Sequence, residues 1–328
     1  MNIKFGIIGC GGIAHQFASA LHLAGEGELQ AVAARDPARA KAFAEKYGAK
    51  AAYGSYRQLI EDPAVEIVYI ALIHSFHYAL ARRCVAAGKA VLCEKPFFIS
   101  GAEGEALRQL AAERKVLIME AMWTRFLPAV QTAKQWMEAG KIGEIKLLHA
   151  AFCFRLPYNE ETKTGRIYNP DLAGGAFWDA GVYPYDLVTG LLGKQPILVH
   201  AAVQPAPSGV DESTALVLRF ADGVLATVVS AVGVKAHDDA FVYGTEGYLK
   251  LQSFWHCRRC ERYDSAGQLA EVFTDPQEEG FVHEIRHIIR LYKEGKTDSP
   301  LMPIQDSIDF AKTADQVLES LGHRPLPL

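Results

Sequence analysis

Lys95 is the side chain whose position in the sequence points most directly to chemistry. It stands in the tripeptide Glu94-Lys95-Pro96, which directly follows the apolar run 90–93. If that run is a strand of a parallel sheet, the lysine lies at its carboxyl end, in the crevice where such sheets bind ligands. The proline that follows fixes the turn. We therefore predict that Lys95 reaches the reacting end of a molecule bound in that crevice.

Tyr183 is the second candidate. It closes the pattern G-G-x-x-x-D-x-G-x-Y, in which the pair Gly174 and Gly175 opens a turn into a predicted helix. Asp179 precedes the tyrosine by one helical turn. A tyrosine beside a lysine can act as a general acid and base, because the ammonium group favours the phenolate. The alternative is a tyrosine that only packs the helix.

Two histidines and a tryptophan follow other predicted strands. His74 and His77 come directly after the strand that ends at Leu72, so both lie near the same crevice. Either they bind a ligand or they are ordinary solvated or hydrogen-bonded side chains. Trp123 lies in the stretch E-A-M-W-T-R-F after the last strand of this half of the chain. It either lines the substrate site or packs the junction between two domains.

A glycine-rich turn near the amino terminus is the first element that can position these groups. The residues 9–14, G-C-G-G-I-A, fit the pattern G-x-G-x-x-A between a short apolar strand and a predicted helix. The first glycine permits the tight turn, the second lets a pyrophosphate approach the backbone, and the small last residue packs helix on sheet. A glycine turn without a cofactor is the alternative. We predict that the cofactor contacts Gly9, Gly11, Gly12, Ile13 and Ala14.

The end of the second strand decides which dinucleotide is bound. An NAD site usually places an acidic residue there to accept a hydrogen bond from the ribose 2′-hydroxyl. This chain instead has Arg35, followed by Asp36, with Arg39 one turn later. Arg35 can give a 2′-phosphate two charge-assisted hydrogen bonds, and Arg39 adds a second cation. Asp36 is better explained as a helix cap, so we predict NADP and leave NAD open.

Strand and helix patterns alternate through the first 121 residues. Strands are predicted at 3–8, 29–34, 66–72, 90–94 and 116–120. A helix begins with Pro37 and ends before Gly48, and Ser100 with Glu103 can form the capping box of a later helix. Strands that alternate with helices predict an α/β fold with a doubly wound, parallel sheet of the Rossmann type.

The pattern changes after residue 121. A helix is predicted at 128–139, two more near 281–294 and 305–321, and strands at 145–155, 213–220, 224–232, 240–243 and 248–251. Consecutive strands joined by tight turns predict a mainly antiparallel, open sheet in an α+β domain. We expect a dinucleotide-binding domain over 1–121 and a substrate-binding and dimerisation domain over 122–328.

Composition and charge exclude several other classes. The 328 residues carry a net charge of −4 without a basic cluster that interleaves with aromatics, so we expect no nucleic-acid partner. No apolar run approaches the ~20 residues that span a bilayer, and we expect no membrane partner. The six scattered cysteines, with one lone C-x-x-C at Cys257 and Cys260, are typical of reduced thiols, not of disulfides or zinc ligands. We therefore predict no metal and a cytoplasmic protein.

Two predicted strands that meet at the turn 221–223 are apolar on both faces. In the first, Leu216 and Leu218 point one way while Ala215 and Val217 point the other. A sheet with one solvated face should alternate apolar with polar residues. The helices of the domain can cover one face, and the other then needs a partner, although the sequence does not show which face that is.

The order of the motifs, G-x-G-x-x-A, then E-K-P, then G-G-x-x-x-D-x-G-x-Y, closely resembles the Gfo/Idh/MocA oxidoreductases over the whole chain. The stretch E-A-M-W-T-R-F, with A-A-R-D after the second strand, is most similar to the dimeric dihydrodiol dehydrogenase branch, which includes NADP-dependent D-xylose dehydrogenases. The resemblance implies a homodimer that pairs through the open sheet face with two-fold symmetry. It also implies that Lys95 and Tyr183 form the catalytic pair.

The same resemblance implies a substrate pocket lined by His74, Trp123 and Phe152. We add Asp179 to the predicted substrate contacts, and His77 and Glu94 to the predicted cofactor contacts.

Three departures bear on the substrate. Tyr183 stands where the inositol dehydrogenases of the family have histidine, which argues against that substrate class. Leu72-Ile73 replaces the Thr-Pro of many members, and the segment 159–171 looks longer than in the mammalian dihydrodiol enzymes. The resemblance thus implies NADP-dependent hydride transfer to or from a CH–OH group of a small sugar, cyclitol or cyclic trans-diol. The alternative is a cofactor-binding sensor or scaffold, which would need neither Lys95 nor Tyr183.

Overall fold

The computed structural model describes residues 2–276 and 279–321, and they form two compact units. One contains residues 2–123 and 279–308, and the other contains 124–276 and 309–321. The stretch 279–308, which the sequence analysis assigned to the second domain, thus packs with the first unit. The predicted domain ranges also include residues 1, 277, 278 and 322–328, which lie outside the described residues. The functional domain ranges stay a prediction.

The first unit is built on a six-stranded parallel sheet with the order β3-β2-β1-β4-β5-β6. Its strands are β1 (Ile3–Ile8), β2 (Gly27–Ala33), β3 (Ala51–Tyr53), β4 (Ile67–Ile70), β5 (Ala90–Glu94) and β6 (Ile118–Ala121). The helices between them are α1 (Gly12–Ala24), α2 (Pro37–Tyr47), α3 (Tyr56–Glu61), α4 (His77–Ala86) and α5 (Gly101–Arg114). The strand order reverses between β1 and β4, which creates the ligand-binding crevice of a Rossmann fold. The predicted fold class is confirmed.

Local capping explains where two of these helices begin. The Asp36 carboxylate accepts a hydrogen bond from the Ala38 N–H at 2.9 Å, and Pro37 occupies the first position of α2. At α5 the Ser100 hydroxyl oxygen accepts from the Glu103 N–H at 3.3 Å. The Glu103 carboxylate accepts from the N–H of Ile99 at 3.2 Å. Both predicted caps form, with Glu103 also holding the residue before the cap.

Strand boundaries differ from the sequence-based ones where burial extends beyond the hydrogen-bonded ladder. β4 covers four of the seven residues predicted for it, and β6 begins two residues later than predicted. β3 was not predicted from the sequence. This strand has three residues, none of them buried, at the edge of the sheet, so its sequence carries no strong apolar signal.

The second unit contains an eight-stranded sheet with the order β14-β13-β12-β11-β7-β10-β9-β8. Its strands are β7 (Ile145–Cys153), β8 (Leu198–Pro205), β9 (Asp211–Arg219), β10 (Leu225–Ala231), β11 (Ala240–Gly244), β12 (Gly247–Gln252), β13 (Arg259–Asp264) and β14 (Leu269–Thr274). β7 and β10 pair in parallel, and the other neighbours pair antiparallel. The prediction of a mainly antiparallel sheet is confirmed. β8, β13 and β14 were missed because they bury few apolar side chains.

One face of this sheet is covered and the other is open. Helix α6 (Pro128–Glu138) precedes the sheet, and α7 (Val182–Leu192) packs on β7 and β10. Leu216 and Leu218 are buried on the covered side, whereas Ala215 and Val217 are exposed. The open face also exposes Leu225. The structure thereby settles which of the two apolar sets faces outward.

Two helices follow the second sheet: α8 (Phe281–Lys293) and α9 (Ile304–Leu318). α8 packs against α1 in the first unit. α9 begins in the first unit and ends in the second. Among the described helices, none combines the length and the apolar content that a membrane span requires.

Candidate active site

The glycine turn joins β1 to α1 and has the form that a dinucleotide needs. Gly9 has φ +106°, and a Cβ there would lie 2.3 Å from the Ala71 carbonyl oxygen, so only glycine fits. At Gly11 and Gly12 a Cβ would meet no atom within 4 Å. The packing of the protein therefore does not require glycine at these two positions. Glycine there lets a bound pyrophosphate approach the protein backbone closely. The turn thus fits the pyrophosphate of a dinucleotide.

The remaining predicted residues of the turn position α1. Ala14 is fully buried beneath the helix, and Ile13 is half-buried in its first turn. Gly11 is the N-cap, and no side chain in the described part of the chain caps it. The first N–H groups of α1 are consequently available to bind an anion.

Two arginines approach this turn from the end of β2. The Arg39 guanidinium donates to the Cys10 carbonyl oxygen at 2.9 Å, which ties α2 to the glycine turn. Arg35 is exposed and interacts with the hydroxyl of Tyr56 at the start of α3. Burial raises the pKa of Tyr56, and the charges of Arg35 and Arg39 partly offset that rise. The structure therefore brings both predicted cations together beside the turn.

His77 holds two strand-end loops together. It is fully buried, and its Nδ1 lies 2.8 Å from the Pro96 carbonyl oxygen while its Nε2 lies 3.1 Å from that of Leu72. Burial lowers the pKa of His77 to about 4, and the charge of Lys95 acts in the same direction. The ring is neutral at pH 7 and donates to only one carbonyl at a time. This arrangement favours a structural role over the predicted contact with the cofactor.

His74 lies beside it in a short 3₁₀ turn, His74–Phe76. The two imidazole centroids are 5.9 Å apart in an edge-on arrangement. His74 is buried, with 8% of its surface exposed. The predicted contact with substrate stays a prediction.

Glu94 lies behind Lys95 and orders the end of β5. It is buried, and its carboxylate accepts hydrogen bonds from the Tyr69 hydroxyl at 2.5 Å and from the Lys95 N–H at 3.3 Å. Burial, together with the charge of Glu94, raises the pKa of Tyr69 well above its usual range. These two hydrogen bonds are internal to the first unit, which favours a supporting role over direct cofactor contact.

Lys95 itself is partly exposed to solvent. Within residues 90–99 it is partly exposed while every other residue is buried. Its backbone leads into a cis peptide bond with Pro96. Lys95 is thus the one residue of the stretch 90–99 that keeps part of its surface exposed.

Trp123 stacks on Phe281, the first residue of α8. The ring centroids are 4.8 Å apart and the planes are inclined by 15°. Trp123 is partly exposed. Its position is compatible with both alternatives left open by the sequence, because Phe281 covers one ring face while part of the residue remains exposed.

In the second unit, the Asp211 carboxylate lies at the start of the helical segment that carries Tyr183. Its carboxylate accepts hydrogen bonds from the Phe177 N–H and from the Thr214 hydroxyl, both at 2.7 Å. A Cβ at Gly175, whose φ is +119°, would lie 2.1 Å from the Asp211 carboxylate, so glycine is required there. Burial raises the pKa of Asp211 to about 6. Asp211 was not predicted as part of the site, because it lies 34 residues from Phe177 in the sequence.

The helix begins with a π-helical turn, Phe177–Gly181, and continues as α7. The sequence predicted a turn that leads into a helix at this point, without the π-helical turn, and π turns are frequent at functional sites. Within residues 173–189, Tyr183 is partly exposed while all others are buried. In this segment, as in the segment of Lys95, all residues are buried except one, which keeps part of its surface exposed.

Tyr183 lies against an aromatic ring of its own unit, Phe152, and a second ring, Trp255, lies beside Phe152. The Phe152 ring lies 5.3 Å from that of Tyr183 at 76°, and 5.3 Å from that of Trp255. The Trp255 indole N–H donates to Asp238 at 2.7 Å, which fixes the ring. The predicted residue Phe152 is thus beside Tyr183. Trp255 was missed because it lies in a short 3₁₀ turn without a recognisable pattern.

Asp179 is buried and forms an ion pair with Arg166. Arg166 belongs to the segment 159–171 that the sequence analysis singled out, and about half of its side chain is exposed. The partner of the predicted substrate contact Asp179 therefore comes from that segment.

A glycine turn with free helix N–H groups, a cationic pair at the end of β2 and a presented lysine define an NAD(P)-dependent dehydrogenase. The family models agree. Residues 3–122 match the NAD-binding Rossmann domain of the Gfo/Idh/MocA oxidoreductases, and residues 130–250 match the C-terminal domain of that family. The chain belongs to the Gfo/Idh/MocA oxidoreductase family.

Curated relatives match over nearly the full length. The trans-1,2-dihydrobenzene-1,2-diol dehydrogenase of Mus musculus is 31% identical over 330 residues, which covers 98% of each chain. The Homo sapiens enzyme of the same name is 31% identical over 333 residues, with the same coverage. The predicted similarity to the dihydrodiol dehydrogenases is confirmed.

Solved structures share the fold. A 3-ketoreductase from Actinomadura kijaniata, in complex with NADP and TDP-benzene, is 27% identical, covers 97% of each chain and has a TM-score of 0.85. A levoglucosan dehydrogenase, in complex with NADH and levoglucosan, is 21% identical, covers 98% of each chain and has a TM-score of 0.89. One neighbour carries NADP and the other NADH, so the fold by itself does not select the cofactor.

Proposed function

We propose that this enzyme transfers hydride between NADP and a CH–OH group of a sugar, cyclitol or cyclic trans-diol. One observation carries the proposal. In each of two buried motifs a single proton-transfer side chain is presented, Lys95 within residues 90–99 and Tyr183 within residues 173–189. A packed core has no need of this arrangement, whereas a pair of acid–base groups requires it.

The two arginines support NADP over NAD. Arg35 is exposed at the end of β2, where the ribose 2′ position of a dinucleotide is read, and Arg39 is fixed to the glycine turn. Asp36 is engaged with the Ala38 N–H, so its carboxylate serves as a helix cap. An acidic residue that could accept from a free 2′-hydroxyl is thus already used.

We assign the following chemical roles to the residues of the site. When bound, the nicotinamide cofactor supplies or accepts the hydride. In oxidation, the Tyr183 phenolate takes the hydroxyl proton of the substrate, and the positive charge of Lys95 favours that phenolate. In reduction, the same tyrosine returns the proton to the oxygen that becomes the alcohol. The buried Glu94 and His77 hold the backbone around Lys95.

The rings around Tyr183 support a small cyclic substrate. Phe152 and Trp255 offer flat apolar surfaces on which the C–H face of a sugar or a diol ring packs. Asp179 with Arg166 supplies polar contacts on the same unit. The curated relatives are named for a cyclic trans-diol and a structural neighbour for the anhydrosugar levoglucosan, so both substrate types belong in the test.

We also propose a homodimer that pairs through the open face of the eight-stranded sheet. The exposed residues Val217 and Leu225 lie on adjacent strands of that face and give it apolar surface. Light scattering at micromolar concentration should give about twice the chain mass of 36.0 kDa. A monomer mass would contradict the proposal.

The cysteines support a cytoplasmic location as part of this proposal. All six are free and buried, as is usual for thiols in a reducing compartment. Thiol titration of the denatured protein without reductant should find six reactive groups, and a lower number would contradict this assignment.

The function is tested with a panel of sugars and cyclic diols, each with NADP⁺ and with NAD⁺, followed at the absorbance of the reduced cofactor. We expect turnover with at least one sugar or trans-diol, and a higher kcat/KM with NADP⁺. Oxidation of none of them, combined with tight NADP binding, would instead support the sensor or scaffold alternative.

A further inference from the structure

The loop between β10 and β11 ends in Asp238 and Asp239, two acids that the proposed mechanism does not use. Asp238 holds the short turn that follows β12 at three points. Its carboxylate accepts hydrogen bonds from the Trp255 indole N–H at 2.7 Å and from the Ser253 hydroxyl at 3.2 Å. Its carbonyl oxygen accepts from the Phe254 N–H at 2.9 Å. One residue thus binds three consecutive residues of the turn.

The backbone of this turn has a conformation that needs such support. Ser253 has φ +44° and ψ +61°, a left-handed conformation that residues other than glycine adopt at a cost. Its N–H donates to the Asp239 carboxylate at 2.9 Å, and Asp239 forms an ion pair with Lys250 at 2.8 Å. Phe254 is fully buried and anchors the turn. These contacts fix the backbone that carries Trp255.

The Trp255 ring is held as well as its backbone. The residue is partly exposed, so burial alone does not fix the ring. The Phe152 ring lies 5.3 Å away, and the His256 ring lies 4.2 Å away and edge-on at 77°. The indole N–H is bound by a carboxylate, and hydrogen bonds to charged groups are the stronger kind. Asp238 therefore selects one orientation of the indole.

Phe152 connects this indole to Tyr183. The Phe152 ring lies 5.3 Å from the ring of Trp255 and 5.3 Å from that of Tyr183, and all three residues belong to the second unit. Closely packed side chains pass a displacement on to their neighbours. A changed orientation of Trp255 would therefore alter the aromatic surface beside the tyrosine.

We propose that Asp238 is a positioning residue for substrate binding: by holding the Trp255 indole and the turn that carries it, Asp238 sets the shape of the aromatic surface beside Tyr183 on which the substrate ring packs. The proposal rests on the proposed function of Tyr183 and of that surface. Asp238 acts through Trp255 and is assigned no contact with substrate or cofactor.

The position of the indole is tested without any measurement of turnover. The chain contains four tryptophans, so protein labelled with ¹⁵N-tryptophan should give four indole N–H signals, and Trp255→Phe identifies the signal of Trp255. That N–H should exchange with deuterium more slowly in the wild type than in Asp238→Leu. Asp264→Leu is the matched control, because Asp264 also holds a turn of this sheet, with hydrogen bonds from the Ala266 and Gln268 N–H groups at 2.9 Å each. Equal exchange in the wild type and in Asp238→Leu would overturn the proposal.

The effect on the substrate is tested by KM and kcat with the best cyclic substrate of the panel. Asp238→Leu should raise KM roughly 3- to 10-fold, the range that one hydrogen bond represents, with kcat and the Kd for NADP little changed. Asp238→Asn keeps an acceptor oxygen for the indole and should bring KM most of the way back to the wild-type value. Unchanged KM in Asp238→Leu, or an equal rise in Asp264→Leu, would contradict the role.

A double-mutant cycle shows whether Asp238 acts through Trp255. Trp255→Phe keeps an aromatic ring but lacks the N–H donor, so it tests the same bond even if Asp238→Leu does not fold, and it should also raise KM. In the double variant, KM should rise little beyond the larger single effect, because the two residues share one interaction. Unchanged KM in Trp255→Phe, or increases that multiply in the double variant, would overturn the proposal.

The proposed function fails separately from this inference. If Tyr183→Phe retains full turnover, Tyr183 is not the acid–base group, whatever the exchange of the Trp255 indole shows. If Tyr183→Phe loses turnover while Asp238→Leu changes neither KM nor indole exchange, Tyr183 keeps its role and the inference about Asp238 is wrong.

Discussion

The surroundings of Lys95 and those of Tyr183 present one side chain each, but they do so by different means. Behind Lys95 lie polar groups that hydrogen-bond to backbone and to one another: Glu94, Tyr69 and His77. Around Tyr183 the support comes from a capped helix start and from aromatic packing, with Asp211 and Phe152 as its main parts. The segment of Lys95 is therefore held by buried polar groups, and that of Tyr183 by a helix cap and by aromatic packing.

This difference indicates which kind of substitution each region tolerates least. A network of buried polar groups fails when one partner is left uncompensated, because low dielectric makes an unpaired group costly. An aromatic and glycine-built region fails when volume changes, because close packing leaves little room. Substitutions in the two regions should thus have distinct signatures.

The largest expected effect is the loss of either presented side chain. Lys95→Met and Tyr183→Phe should each lower turnover by roughly 10²–10⁴, the usual range for a lost proton-transfer group, with little change in the Kd for NADP. Exposed Lys41→Met and partly exposed Tyr248→Phe are the controls and should keep normal turnover. Unchanged turnover in Tyr183→Phe would move the acid–base role to Lys95 or a histidine.

The next effect concerns stability in the region around Tyr183. The pKa of Asp211 is raised by burial to about 6 in the folded protein, from 3.8 in an unperturbed group. The folded state thus binds this proton more tightly than the unfolded state, so ionisation weakens the fold as pH rises from about 4 to about 6. Asp211→Asn keeps both hydrogen bonds from Phe177 and Thr214 and lacks this ionisation.

Urea denaturation of the wild type and Asp211→Asn at several pH values measures this. The wild type should lose up to about 3 kcal/mol of unfolding free energy relative to the variant across that window. A difference that does not change with pH would show that Asp211 titrates normally.

Cofactor preference is expected to change by a smaller factor. Arg35→Asp should weaken NADP binding roughly 10- to 100-fold, the cost of losing charge-assisted hydrogen bonds, and should weaken NAD far less. Lys41→Asp, on the exposed surface of α2, is the matched charge reversal and should leave both affinities nearly unchanged. Calorimetry that finds tighter binding of NAD than of NADP by the wild type would overturn the assignment.

The smallest expected effect tests the aromatic framing of Tyr183. Phe152→Leu removes an edge-to-face contact worth about 0.5–1.5 kcal/mol, so KM should rise a few-fold while kcat falls little. Phe241→Leu, a partly exposed ring of the same sheet stacked on Tyr243, is the control. A loss of kcat as large as that of Tyr183→Phe would mean that Phe152 does more than frame the tyrosine.

The sequence was sufficient for the features that are written locally. The glycine turn, the Asp36 cap and the alternation of strands and helices depend on neighbouring residues, and all three form as predicted. Lys95 and Tyr183 were found because each stands in a short motif. The sequence did not show that these two are the accessible residues of otherwise buried segments.

Other parts of the site depend on contacts between distant residues. Asp211 caps a helix that begins 34 residues before it. Histidine is a residue type that often binds ligands, but both ring nitrogens of His77 face backbone carbonyl groups. Such roles depend on which distant residues pack together in the folded protein. The periodicity of apolar residues in the sequence carries no information about those contacts.

A double-mutant cycle on turnover tests most directly the claim that Lys95 and Tyr183 act as one catalytic unit. Turnover is measured for the wild type, Lys95→Met, Tyr183→Phe and the double variant, with saturating NADP⁺ and the best substrate of the panel. The account predicts that the double variant is about as slow as the slower single variant, because a unit already broken loses little more. Losses that multiply in the double variant would show that the two residues act independently, and would contradict the account.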